Sequence, residues 1–214
     1  MPRATLLATV LDSLDIISPF HLKASGALKD DGWFRSFREK ACIDADGKPL
    51  PWITYPAIDF LSRRVRPEMT VFEYGSGGST RWWASRVLRV ISCEHDEGWY
   101  QKVRRNLPTN AELHHIPLEY GGHYSKKVLA YESAFDLVVV DGRDRINCAL
   151  NALTALKPDG VIIWDNSERA RYEPGFKALA ERGFKKLEFT GMCPMSTNKT
   201  ETGIFYRPEN CLGI

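Results

Sequence analysis

Acidic side chains recur where short apolar runs end. Glu73 closes TVFE and precedes Gly75-Ser76-Gly77-Gly78-Ser79-Thr80; Glu94 and His95 follow RVISC; Asp141 follows FDLVVV; Asp165 and Asn166 follow GVIIW. Each grouping has a chemistry. A loop of glycines and hydroxyl residues lets backbone amides approach a ligand closely. A carboxylate about 20 residues further on accepts hydrogen bonds from ribose hydroxyls, and Glu94 meets that spacing from Gly75. Two carboxylates and an amide oxygen, here Asp141, Asp165 and Asn166, make an all-oxygen donor set of the kind Mg²⁺ takes.

The loop admits more than one ligand. A dinucleotide fingerprint needs G-x-G-x-x-G; Gly75 and Gly77 fit its first two places and Thr80 stands at the third. Glu73 weighs against a pyrophosphate, because a carboxylate beside it costs Coulomb energy, whereas one beside a cationic amino group gains it. An NAD(P)-dependent oxidoreductase is therefore the second reading. A protein that binds a cofactor without catalysis is the third, since fold does not fix function.

The elements that must position these residues begin at residue 70. Apolar, β-branched runs occur at TVFEY, RVISCE, AELHHI, FDLVVV, GVIIW, FKKLEF and TGIFY. Helix-like stretches (STRWWASRVL, EGWYQKVRRNL, part of HYSKKVLAYES, RINCALNALTAL) separate the first five. Strands apolar throughout and alternating with helices indicate a parallel sheet covered on both faces. GMCPMSTNKTE carries no helical pattern, which suits an antiparallel pair closing one side of the sheet. Consecutive parallel strands ending in Asp141 and Asp165 can be neighbours about 4.8 Å apart, so the two residues leave the same edge of the sheet side by side. The chain then divides into a helical lead-in, 1–69, and a binding domain, 70–214, within one folding unit. Apolar spacing from Leu6 to Ile17 predicts a helix ending before Pro19, and GWFRSFREKACI a second. Turn-rich DADGKPLP follows, then a helix capped by Thr54 with Pro56 in its first turn. PLPWITYP is placed either as a lid over the site or as core, and Trp52, Tyr55 and Trp164 share that choice.

The combination Glu73-x-Gly75-Ser76-Gly77-Gly78-Ser79-Thr80 followed by Glu94 resembles the cofactor site of class I S-adenosylmethionine-dependent methyltransferases, over residues 70 to 207. The resemblance implies an α/β, Rossmann-like fold: a seven-stranded, mostly parallel sheet with one antiparallel edge strand and helices on both faces. It implies that Glu73, Gly75, Ser76, Gly77, Gly78, Ser79, Thr80, Glu94, His95 and Asp141 surround S-adenosylmethionine, with residues 117–122 near the adenine. Asp141, Asp165 and Asn166 partly resemble the metal ligands of the catechol and caffeoyl-CoA O-methyltransferases, which implies Mg²⁺ and an oxygen acceptor. A lysine base of the catechol enzymes is replaced by Asp144. Against the metal stands a plainer reading, in which Asp165 or Asn166 caps a helix beginning near Ser167 and Asp141 faces the cofactor. In either case Asp141 is the residue expected at the reaction centre. The expected activity is methyl transfer to a small molecule, with a divalent cation as an optional aid.

Composition narrows the partners. The chain has 214 residues, 43% hydrophobic and 26% charged, with net charge +2 and an isoelectric point near 8.2. That balance lacks the basic excess of a nucleic-acid binder. No run approaches the ~20 apolar residues of a membrane span. Five cysteines without a CxxC pair suit reduced thiols in a cytoplasmic protein. The oligomeric state is open, a homo-oligomer included. Arg143 and Arg145 either receive an acidic or phosphorylated acceptor or form a solvated rim, and the rim is the reading preferred. Trp82 and Trp83 are expected in packing, His114 and His115 alternating on a strand, and His123 in a loop, as a base or simply exposed.

Overall fold

The computed structural model describes residues 17–214 together with Leu11 and Ser13. The seven expected strands form one sheet: β1 (Thr70–Tyr74), β2 (Arg89–Glu94), β3 (Ala111–His115), β4 (Phe135–Val140), β5 (Leu156–Asp165), β6 (Lys185–Gly191) and β7 (Thr200–Tyr206). Their order is β3-β2-β1-β4-β5-β7-β6. Strands β1 to β5 pair in parallel. Strand β7 runs antiparallel to both β5 and β6, so the expected antiparallel pair closes that side, with β6 outermost. The order turns around between β1 and β4, which opens a crevice at their carboxyl ends.

Nine helices are described, α1 (Ile17–Ala24), α2 (Ala27–Asp30), α3 (Trp33–Glu39), α4 (Tyr55–Ser62), α5 (Gly78–Ala84), α6 (Glu97–Arg104), α7 (His123–Lys126), α8 (Arg145–Ala155) and α9 (Glu173–Ala180). Alternation along the central strands feeds two cores. Val71, Leu137, Val139, Val161 and Ile163 face one side, packed with Trp82 and Trp83 of α5 and Ile58 and Leu61 of α4. Phe72, Tyr74, Val138, Val140, Ile162 and Trp164 face the other, under α8 and Leu179 of α9. Every residue of β4 is buried, as a central parallel strand requires. The lead-in thus supplies α4 to the same core as β1. Trp82 and Trp83 meet edge to face at 4.6 Å and serve packing, as expected.

Several local expectations need correction. The helix predicted over residues 6–17 falls mostly outside the described residues. Pro19 lies within α1 and does not end it, removing only its own amide donor. Lys40, left-handed at φ +52°, ends α3 short of the predicted Ile43. Thr54 precedes α4 without capping it, because its hydroxyl donates to the Phe189 carbonyl at 3.0 Å instead. No helix begins at Ser167. A 3₁₀ turn (Ala170–Tyr172) precedes α9, which has Pro174 in its first turn, so neither Asp165 nor Asn166 is a helix cap.

Candidate active site

Strand β1 delivers the glycine loop to the crevice. Gly75 has φ +95°, and a β-carbon there lies 3.4 Å from the Asp141 carbonyl carbon and oxygen, so the β1 and β4 exits pass in close contact. At Gly78 the crowding is worse: a β-carbon falls 2.5 Å from the carbonyl oxygen of Leu50. The lead-in therefore seats directly on the loop, and only glycine leaves room for it. Over Gly77 lies the ring of Trp99, 3.3 Å from where a β-carbon would stand, and the indole N–H donates to the Ser76 carbonyl at 2.7 Å.

Glu73 supports this loop from beneath. It is 1% exposed; its Oε1 accepts from the hydroxyls of Thr80 and, at 2.6 Å, Ser92. Thr80 Oγ1 accepts the Gly77 amide at 3.1 Å, so carboxylate, hydroxyl and loop amide form one chain. Burial pushes the Glu73 carboxyl up to about 7, against the pull of its hydroxyl donors. Glu94, at the end of β2, is 4% exposed. Its Oε1 accepts the amides of His95 (2.8 Å) and Asp96 (3.0 Å), which aims Oε2 at the loop, where it accepts from Ser76 Oγ at 3.0 Å. Asp96 caps α6 through the Trp99 amide at 2.6 Å, which fixes the tryptophan above the loop. A glycine loop that lines the cleft, bordered by a carboxylate and a serine hydroxyl, fits the ribose and methionine parts of S-adenosylmethionine.

Asp141 and Asp165 stand side by side as expected, because Val140 pairs with Trp164. What lies between them is Arg145. Placed by sequence on a solvated rim, its side chain is 8% exposed. Its Nη2 is 3.0 Å from Asp141 Oδ1, its Nε donates to the Gly142 carbonyl at 3.0 Å, and its Nη1 donates to the Asp165 carbonyl and lies 3.8 Å from Asp165 Oδ2. Burial pushes both carboxyls up, Asp141 to about 6; Arg145 pulls each back, and their mutual repulsion raises Asp165 further. Asp165 also accepts from the Thr202 hydroxyl at 3.2 Å. Asn166 donates its amide to Thr200 Oγ1 at 3.0 Å. This donor set does not fit Mg²⁺: a guanidinium already pairs with both carboxylates, and a dication between them would face it at contact distance. Among the described residues no group of three or more His, Cys, Asp or Glu side chains is arranged to hold a metal.

Asp144 is 8% exposed and accepts the Gly121 amide at 2.7 Å and the Asn147 amide at 2.8 Å, a fastening rather than a base. Residues 117–122, expected near the adenine, do not line the cleft. Neither do His114, which faces Glu112 at 3.7 Å, His115 beside Tyr100, or His123, which begins α7 instead of lying in a loop.

These elements enclose a cleft of about 970 Å³ that includes Glu73, Gly75 to Ser79, Glu94, His95, Asp141, Asp165 and Asn166. Of the sequence-predicted site residues, Thr80 is withdrawn from it, being fully buried, and the 117–122 segment does not line it. Two further segments complete it, 40–52 and 193–200; Leu50 and Trp52 come from PLPWITYP, as its lid alternative expected, whereas residues 40–43 and 193–200 were unforeseen as walls. The helices flanking the first segment hold the second: Trp33 Nε1 donates to the Ser196 carbonyl (2.8 Å) and the Tyr55 amide to the Met192 carbonyl (2.9 Å). Trp52, 54% exposed, borders the cleft. Tyr55 and Trp164 are core residues. All five cysteines are free, and burial pushes the Cys42 thiol in the cleft wall to about 12, too high for a nucleophile at neutral pH.

Residues 72–167 match the model of a family described as a methyltransferase domain. Among solved structures, the chain is similar to the precorrin 8W decarboxylase from Methanobacterium thermoautotrophicum (16% identity, TM-score 0.54, covering 79% of this chain and 97% of that one). It is also similar to a precorrin-6y C5,15-methyltransferase from Geobacter metallireducens (15%, 0.54, 71% and 87%) and an rRNA methylase from Streptococcus thermophilus (15%, 0.54, 73% and 99%). At these identities the shared property is the fold. No curated protein sequence is similar to the chain. Among the described residues no helix is long and apolar enough to cross a membrane.

Proposed function

We propose that this chain, which has the class I S-adenosylmethionine-dependent methyltransferase fold, transfers a methyl group to an oxygen of a small molecule, without a divalent metal. One observation carries the reading: the glycine loop, with Glu94 beside it, and the partly exposed Asp141 open onto the same cleft. A cavity of this size suits a cofactor with a small acceptor. It also favours catalysis over mere binding, because an occluded acceptor end would leave nothing to methylate.

When bound, the cofactor supplies a methyl on a sulfonium, an electrophile that needs a nucleophile brought into line and shielded from water. The chain's residues have separate tasks. Glu94 Oε2 exchanges its Ser76 partner for ribose hydroxyls, and Trp99 covers the loop. Asp141, ionised above about pH 6, accepts the proton of an acceptor hydroxyl. Arg145 fixes the orientation of that carboxylate and keeps its basicity from rising further. The walls at residues 40–52 and 193–200 exclude water.

Calorimetric titration with S-adenosylhomocysteine and, separately, NAD⁺ tests the reading. Homocysteine-product binding, weakened in Glu94→Ala and indifferent to a chelator, is expected. Binding of NAD⁺ alone would overturn it in favour of an oxidoreductase.

A further inference from the structure

Around Asp141 and Asp165 the cleft wall carries an uneven set of charges. Lys40, Arg143, Arg145, Arg169 and Lys199 line it against Asp141, Asp165 and Glu168. Arg145 is consumed by Asp141 and Asp165. Glu168 faces Arg169 Nε at 3.6 Å, and its other oxygen accepts from Thr200 Oγ1 (3.2 Å) and the Glu201 amide (3.0 Å). Lys40 lies over the Phe37 ring at 4.2 Å. Arg143 and Lys199 are exposed and have no ion-pair partner among the described residues.

A solvated rim of charge ordinarily follows one helix face. Here the cations come from three separate exits: Arg143 after β4, Arg169 after β5 and Lys199 before β7. They converge on one concave surface, where low-dielectric walls concentrate their field. Ser196, Asn198 and Thr200 line the same cleft and add neutral hydrogen-bonding groups. Guanidinium and ammonium groups without internal partners are the groups that grip carboxylate or phosphate oxygens.

We propose that the methyl acceptor carries an oxyanion, a carboxylate or a phosphate, and that Arg143 and Lys199, assisted by Arg169, hold it while its hydroxyl faces Asp141. This rests on the methyltransferase reading and specifies its substrate class. Such an acceptor divides the cleft by charge: the anion at the mouth, the neutral hydroxyl at the buried acid. Arg143 and Lys199 are then specificity-determining residues, with no part in the chemical step.

The test uses the full chain saturated with S-adenosylhomocysteine, whose own binding is measured first. Absence of that binding would sink the methyltransferase reading, and this proposal with it. Benzoate, benzamide and inorganic phosphate are then titrated separately by calorimetry. Benzoate is expected to bind about ten-fold or more tightly than benzamide, its near-isosteric neutral counterpart, with an affinity that falls as salt rises. Stronger binding of phosphate than of benzoate would identify a phosphorylated acceptor, and the reverse a carboxylic one. In the exposed double variant Arg143→Gln/Lys199→Gln the preferred anion is expected to weaken about ten-fold or more, with S-adenosylhomocysteine affinity unchanged. Benzamide binding as well as benzoate, or no saturable binding of either anion at millimolar concentration to the wild-type complex, would overturn the proposal.

Discussion

Replacing Glu73 with glutamine isolates the cost of the carboxylate beneath the glycine loop. The substitution keeps the shape and the acceptor oxygen, so the Thr80 and Ser92 hydroxyls retain a partner. The new amide can reach the Ser79 hydroxyl, which already interacts with Glu73. What disappears is a buried negative charge. In the folded chain burial raises this carboxyl from its ordinary 4.5 to about 7, so between those values the folded state binds a proton that the unfolded state has released. Stability must therefore fall as pH rises across that window, and an acidity shift of this size corresponds to about 3 kcal/mol. At pH 5 the wild type and Glu73→Gln should differ little; at pH 8 the variant should be more stable by up to about 3 kcal/mol. Urea unfolding at pH 5, 6, 7 and 8, with slopes compared to confirm an unchanged denatured state, reads the difference. A stability gap independent of pH, or a variant weaker than wild type at pH 8, would refute the claim that Glu73 is an uncompensated buried acid.

Other expectations follow from single contacts. Arg145→Met leaves Asp141 and Asp165 without their guanidinium and should cost about 3–5 kcal/mol. Because burial already makes both weaker acids, protonation should recover much of that loss at pH 5 relative to pH 8, as read by denaturant unfolding. Gly78→Ala drives a methyl against the Leu50 carbonyl and should destabilise by about 1–3 kcal/mol, with weaker S-adenosylhomocysteine binding by calorimetry as residues 40–52 lift from the loop. Gly142→Ala collides with the Tyr124 hydroxyl. Adding Tyr124→Phe removes the obstructing oxygen, so the double variant should melt above Gly142→Ala alone, a non-additivity that a thermal double-mutant cycle measures.

The sheet was legible because its central strands are buried on both faces and alternate with amphipathic helices, a pattern that survives in residue types alone. Glu73, Gly75 and Glu94 were equally legible, since they sit at strand exits and the exits are fixed by the strands. Arg145 was not. An arginine next to an aspartate normally faces water, and its burial depends on Asp165, twenty residues away in sequence. The one available signal was its place four residues after Asp141 in the first turn of α8, which puts the two within reach. Trp99 was missed for a similar reason: its spacing on α6 reads as packing, and only the Asp96 cap swings it over Gly77. The walls at 40–52 and 193–200 lie in irregular backbone, where side-chain periodicity carries no information. After β5, Pro174 was a usable marker of the start of α9, and it outweighs Ser167 as a helix signal.

The antiparallel strand also imposes an order of assembly. Strand β6 is made before β7, yet its hydrogen bonds in the sheet are to β7 alone. As the chain leaves the ribosome, β1 to β5 can pair in sequence while residues 185–191 wait without a neighbour. Completion of β7 brings in three things together: the edge strand, the Thr202 hydroxyl that meets the Thr54 amide and Asp165, and the anchor for the wall at 193–200. The glycine loop and its acids can be arranged early in synthesis, whereas the enclosure that shields the chemistry from water arrives with the last strand.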